Sequence, residues 1–206
     1  MSTISIIGAG GMAAAIGGRA AQAGYTVEVV SRDPAKAQAL ADQLAAGATT
    51  GTYGAVPTGE IVVLAVPYAS AAAVVTDYAD ALDGKVIIDI TNPFSADLTG
   101  LVTPDGSSGA QEIARVVPAG AHVVKALNTL FGHVLARGGR LDVFVAADDA
   151  EAKARVSTFV ENLGLRPFDV GGLQMAQALE SLGLLLIGLA RGGAGTFDIA
   201  FGVELG

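Results

Sequence analysis

The chain has 206 residues, a formal net charge of −8 at pH 7, 51% hydrophobic residues and only 16% charged ones. That balance belongs to a globular protein with a large aliphatic core, and it leaves no basic surface for nucleic acid or an anionic membrane. Cysteine is absent, which excludes disulfides, thiolate catalysis and Cys-ligated metals.

Taken in order, short β-branched runs alternate with alanine-rich ones. Strands are predicted at 4–7, 27–30, 61–66, 86–90, 122–127, 141–146 and 166–170, most of them nearly continuous apolar runs, as in parallel strands covered on both faces. Helices are predicted between them, near 12–23, 34–46, 70–82, 109–116, 149–163 and 173–190. Asp33-Pro34 marks one helix start with an N-cap carboxylate and a proline at the first helical position, and Asp148-Asp149 marks another. The stretch 92–108, rich in Pro, Gly, Ser, Thr and Asp, reads as a loop over a sheet edge. A soft boundary near 172 divides residues 1–172 from a terminal helix and tail, 173–206. The N-terminus reaches Gly8 too soon for a signal peptide. The apolar run 182–190 is shorter than the ~20 residues of a membrane span. A cytoplasmic protein without membrane contact is therefore expected.

Chemistry first enters at Gly8-Ala9-Gly10-Gly11-Met12-Ala13, a G-x-G-x-x-A pattern between the first strand and the first helix. Gly8 permits the tight turn, Gly10 lets a pyrophosphate approach the backbone, and Ala13 is small enough for close helix–strand packing. The helix N-terminus, through Gly11 and Met12, offers N–H groups to phosphate. The pattern predicts an α/β fold, a Rossmann-type doubly wound, mostly parallel sheet with a C-terminal helix and tail. At the end of the second strand an NAD site places an acidic residue, whereas this chain reads Ser31-Arg32-Asp33-Pro34-Ala35-Lys36. Ser31, Arg32 and Lys36 suit a 2′-phosphate, which predicts NADP(H); Asp33 serves better as the helix cap.

Later strand ends carry further candidates. Val66-Pro67-Tyr68 turns the chain over the cofactor, and Tyr68 either flanks the nicotinamide or is a surface aromatic. Asn92 and Pro93 follow the fourth strand at the same edge. Asn128, after the fifth, either orients nicotinamide or substrate or bonds the neighbouring loop. His122 and His133 have no carboxylate at ligand spacing, so no metal site is expected.

The fingerprint, Ser31–Lys36, Val66-Pro67-Tyr68, Val124-Lys125-Ala126-Leu127-Asn128-Thr129, the run from Gly164 to Leu173 and Leu179-Glu180-Ser181-Leu182 follow one another in a familiar order. Over essentially its whole length the chain resembles the coenzyme F420-dependent NADP oxidoreductases, and more distantly the reductase domain of STEAP metalloreductases. The resemblance implies hydride transfer between NADPH and a deazaflavin (F420) or flavin-like partner. It also implies that Ser31, Arg32 and Lys36 hold the 2′-phosphate and that Val66-Pro67-Tyr68 borders the nicotinamide. Archaeal F420 enzymes carry histidine where this chain has Asn128, the residue expected in the STEAP-like branch.

Transfer between two stacked rings asks little of the protein beyond distance and angle, so no catalytic acid–base residue is assigned. The alternatives are a related NADPH-dependent flavin, ferric, carbonyl or imine reductase, and a non-catalytic NADP(H)-sensing module. The last helix is apolar around much of its circumference, which predicts a homodimer using that helix and the tail 196–205.

Overall fold

The structure, a computed structural model, describes residues 2–206. Its strands are β1 (Thr3–Ile7), β2 (Thr26–Val30), β3 (Thr49–Thr50), β4 (Ile61–Leu64), β5 (Val86–Asp89), β6 (His122–Lys125), β7 (Asp142–Ala146) and β8 (Arg166–Gly171). They form one sheet in the order β3-β2-β1-β4-β5-β6-β7-β8. Pairing is parallel from β3 through β6 and again between β7 and β8, but β7 meets β6 antiparallel through the single pair Lys125 and Ala146.

Among the described residues seven α-helices accompany the sheet: α1 (Gly11–Gln22), α2 (Pro34–Leu44), α3 (Tyr68–Tyr78), α4 (Gly109–Ala114), α5 (Gly132–Ala136), α6 (Ala150–Asn162) and α7 (Ala176–Arg191). Because successive strand residues point to opposite faces, the apolar strands feed two layers. Ile4, Ile6, Val27, Val29 and Val63 pack with Ile16, Leu40 and Phe159 on one side. Ile7, Val30, Val62, Leu64 and Ile87 pack with Val74, Tyr78 and Ile113 on the other. The doubly wound, mostly parallel sheet expected from the strand pattern is what forms.

Element boundaries shift where side-chain chemistry overrides apolar pattern. The strand predicted at 61–66 stops at Leu64, because Pro67 is the N-cap of α3 and Tyr68 its first residue. Two short elements are additional to the predicted set, the two-residue edge strand β3 and the five-residue helix α5. The cap at Asp33 forms as expected, its Oδ1 accepting from the N–H groups of Ala35 at 3.0 Å and Lys36 at 3.4 Å. The second cap divides its labour. Asp149 caps α6 through Ala152 N–H at 2.7 Å, while Asp148 accepts from Leu173 N–H at 2.7 Å and ties the start of the last helical run to the sheet.

That run is longer than the apolar stretch 182–190 suggested. With a 3-10 turn at Leu173–Met175 leading into α7, it covers Leu173–Arg191, 19 residues of mean hydropathy 1.5, enough by length and composition to cross a membrane. One face, with Leu179, Glu180, Gly183 and Leu186, is buried. The opposite face exposes Leu185 and Leu189. The tail beyond it turns back on the same chain: Asp198 meets His133 and Arg137, and Val203 N–H donates to Asp142 at 2.6 Å.

Candidate active site

The glycine turn is built against the end of β4. Gly8 N–H donates to Val30 O at 2.8 Å, and its φ of +127° lies where only glycine is comfortable. A Cβ at Gly8 would sit 2.0 Å from Ala65 O, so the backbone approach itself demands glycine. Gly10 caps α1 without any side chain, and the first turn of the helix carries no acidic residue. A Cβ at Gly10 or Gly11 would meet nothing within 4 Å, so open space lies in front of the helix's free N–H groups. Those groups and that space fit a pyrophosphate. Ala13 is fully buried beneath the turn, and Met12 turns its sulfur toward Gly132 at the start of α5.

Beside the turn, one cleft gathers Gly8, Gly10, Ser31, Arg32, Lys36, Val66 and Pro67. Its volume, about 290 Å³, lies near the lower end for small-ligand pockets and suits an adenosine moiety rather than a whole dinucleotide. Ser31 Oγ accepts from Asp33 N–H at 3.2 Å. Lys36 Nζ stands 3.9 Å from Asp33 with both side chains largely in water, a weak pairing. Among the described residues Arg32 makes no ion pair. Three donors thus converge on the tip of β2, with the Asp33 carboxylate turned into its helix. Tyr53, from the loop after β3, forms another wall and was not among the expected residues.

The other candidates lie along the edge toward β5 and β6, outside that cleft. Tyr68 donates its hydroxyl to Glu112 of α4 at 2.6 Å, and burial together with that carboxylate pushes the phenol up to about 12. Asn92 donates to Asn128 O at 2.8 Å, and Asn128 Nδ2 donates in return to Asn92 Oδ1 and to Leu179 O of α7, each at 2.9 Å. Asn128 therefore stitches two strand-end loops to the last helix, while its buried Oδ1 has no partner. Leu127, just before it, is held at φ +63°, a conformation disfavoured for a branched residue and typical of functional loops. Pro93 is buried, its carbonyl accepting from Val102 N–H at 2.8 Å. His122 is exposed and faces Asp149.

Below this edge lies a charged cluster absent from the expected site. Lys125 Nζ is completely buried and donates to Asp89 at 2.9 Å, Glu180 at 2.9 Å and Thr91 O at 2.6 Å, which uses all three of its protons. Glu180 also accepts from the N–H groups of Gly109 at 3.2 Å and Ala110 at 3.4 Å, at the start of α4. Burial raises the Glu180 carboxyl, against the pull of Lys125 and the Gly109 amide. Gly183, one turn further along α7, packs so closely that a Cβ would meet Asn92 Oδ1 at 3.1 Å. Leu179, Glu180 and Gly183 thus dock α7 onto the ends of β5 and β6. A lysine and an aspartate closing two otherwise apolar strands were the sequence signal for this cluster, since buried charges demand partners.

A family model for coenzyme F420-dependent NADP oxidoreductases matches residues 3–93, the segment holding the turn and the β2 tip. The F420-dependent NADP reductase of Methanothermobacter marburgensis is 30% identical over 190 residues, covering 83% of this chain and 84% of that one. The chain belongs to the coenzyme F420-dependent NADP oxidoreductase family. One solved structure extends the likeness to the whole fold. A solved structure from Arthrobacter sp. FB24, provisionally designated an F420-dependent NADP reductase, is 29% identical, with a TM-score of 0.85 over 98% of this chain and 99% of that one. Metalloreductase STEAP3 of Rattus norvegicus is 31% identical over 89% of this chain, which spans only 37% of that longer protein. NADP-dependent oxidoreductase chemistry is the property shared across the F420-dependent NADP oxidoreductase family, and the open helix N-terminus with its three-donor corner fits that cofactor.

Proposed function

We propose that the chain is an NADPH-dependent oxidoreductase that passes hydride to or from a deazaflavin of the F420 type or a flavin-like acceptor. The observation that carries this reading is the one cleft in which the glycine turn, free of any side-chain cap, meets Ser31, Arg32 and Lys36 and runs on to Pro67. NADPH, when bound, supplies a hydride, two electrons and one proton, and solvent supplies the second proton that a flavin or deazaflavin needs on reduction. The residues bind and orient. Gly8 and Gly10 let phosphate reach the backbone, Arg32 and Lys36 neutralise the 2′-phosphate, and Val66, Pro67 and Tyr68 border the nicotinamide end. Asn92 and Asn128 fix the loops on which the second ring rests. No residue needs to ionise during transfer, so the rate of the chemical step should vary little across neutral pH.

Purified protein mixed with NADPH and, in turn, F420, FMN and a ferric chelate tests the reading through loss of reduced-nicotinamide absorbance. Turnover with F420 or FMN supports it. A second reading, reduction in the STEAP manner with flavin serving a ferric complex, is favoured by Asn128 and by the STEAP3 likeness, and turnover with ferric chelate only when flavin is present would select it. Tight NADPH binding without turnover on any acceptor would leave a nucleotide-sensing module.

The same proposal includes a cytoplasmic setting and a homodimer whose interface is the outer face of α7, where Ala178, Leu182, Leu185 and Leu189 fall in one stripe. The helix period places them along a single line, and a second copy of the stripe is its natural cover. The tail's Phe197 and Leu205 are exposed as well. Light scattering at micromolar concentration checks the assembly, and a monomer would overturn it.

A further inference from the structure

The loop between β3 and β4, residues 51–60, has no regular structure, yet it is fastened at both ends. Gly51 N–H donates to Val29 O at 3.0 Å. At the far end Thr58 N–H reaches the buried Glu28 carboxylate at 2.9 Å, and Gly59 N–H reaches the buried Ser5 hydroxyl at 2.9 Å. The approach at Gly59 is close enough that a Cβ would lie 2.5 Å from Ser5 N. A loop pinned in this way presents its side chains in fixed positions.

What it presents to the cleft is Tyr53. The ring lines the cleft together with Arg32 and Val74. Tyr78 buttresses it edge-to-face, with centroids 5.3 Å apart and planes at 73°. Its hydroxyl donates to Asp77 at 2.8 Å, and burial with that carboxylate pushes the phenol up to about 12, so it stays neutral. With the hydroxyl engaged, only the ring face is left for a ligand. A half-buried aromatic face, immobilised before binding and near a guanidinium without an ion-pair partner, matches the needs of a flat heterocycle at low entropic cost.

We infer that Tyr53 is the platform for the purine base of the NADP adenosine, with Arg32 serving the base and the 2′-phosphate together. The inference rests on the NADP reading and deepens it. Affinity for the base then comes from a stacked ring on a rigid loop, and preference for the phosphorylated ribose comes from the β2 tip.

The chain has no tryptophan and four tyrosines, so ligand stacking on one tyrosine is visible in intrinsic emission. The probe is adenosine 2′,5′-bisphosphate, followed by calorimetry and by tyrosine fluorescence. Tyr53→Phe keeps the ring and should bind within about threefold of wild type while losing most of the ligand-induced emission change. Tyr53→Ala should weaken the bisphosphate and NADPH by roughly five- to a hundredfold, the range for removing one base–aromatic stack. Wild-type affinity in Tyr53→Ala overturns the inference, as does an undiminished emission change in Tyr53→Phe. If Tyr53→Ala does not fold, the phenylalanine variant still decides. A wild-type protein that binds neither nucleotide overturns this inference and the NADP reading together, whereas binding indifferent to residue 53 overturns this inference alone.

Discussion

At the scale of single residues, Arg32 carries the sharpest consequence. Among the described residues its guanidinium has no ion-pair partner, so Arg32→Ala should weaken NADPH far more than NADH, which loses only the contact with the base. Loss of a charge-assisted contact costs roughly 1.5–3 kcal/mol, about ten- to a hundredfold in affinity. Calorimetry with both cofactors checks this, and equal weakening would show that Arg32 does not read the phosphate. Gly8 acts through space rather than charge. Gly8→Ala would drive a methyl group into Ala65 O at a positive φ, and the variant should lose on the order of 3 kcal/mol or more in a urea melt. These two positions were legible in the sequence because their meaning is local: a glycine turn after a strand, a basic residue at the next strand's tip. Tyr53 was not, because an aromatic in a loop acquires a role only when Tyr78 and Asp77, some two dozen residues away, fix it in place.

Among the secondary elements, the cluster of Asp89, Lys125 and Glu180 fastens β5, β6, α4 and α7 to one another. Removing one partner of a buried pair leaves uncompensated charge and costs about 3–5 kcal/mol. Lys125→Met should therefore lower the melting temperature by roughly 6–20 °C, taking about 2–4 °C per kcal/mol for a chain of this size. Arg155→Ala, which breaks the more exposed pair with Glu60, should shift stability by about 1 kcal/mol or less. Differential scanning calorimetry on both variants separates the two kinds of ion pair. Parallel-strand patterning revealed β5 and β6, but ran them on to 90 and 127, past the aspartate and the lysine at which they stop. The third member, Glu180, sits 55 residues beyond Lys125 on α7, a distance that no local period spans. The elements missed altogether, β3 and α5, are two and five residues long, too short to carry a period.

For the molecule as a whole, Asp142 decides how the C-terminal tail is held. Asp142 accepts from Arg166 Nε and Nη2, each at 2.6 Å, and from Val203 N–H, so it holds the tail against β7 and β8. The Arg166 hydrogen bonds keep the Asp142 carboxyl below its usual range. A depressed carboxyl stabilises the folded form above its unfolded value, about 3.9. That contribution disappears as pH falls through the lower folded value. The tail should thus become sensitive to protease first under acid, before the sheet melts, and Asp142→Asn should release it at neutral pH. Limited proteolysis across a pH series reads this directly. Assembly is the other whole-molecule matter. Leu185→Glu, placed in the outer stripe of α7, should convert a dimer to a monomer without loss of melting temperature in the isolated subunit, as measured by light scattering and calorimetry together.

The lone rung between Lys125 and Ala146 has an implication for how such proteins diversify. Two blocks of parallel strands meet there with almost no shared backbone ladder, so the connection from 126 to 141 can lengthen or shorten without slipping any strand against its neighbour. That connection begins with the strained leucine and with the asparagine that bonds Asn92 and Leu179 O. The helix inside that connection, α5, lies against α1, where Arg19 donates to Leu135 O at 2.8 Å and to Gly139 O at 3.0 Å, so a change of length in this corner has to leave that one helix seated beside the glycine turn.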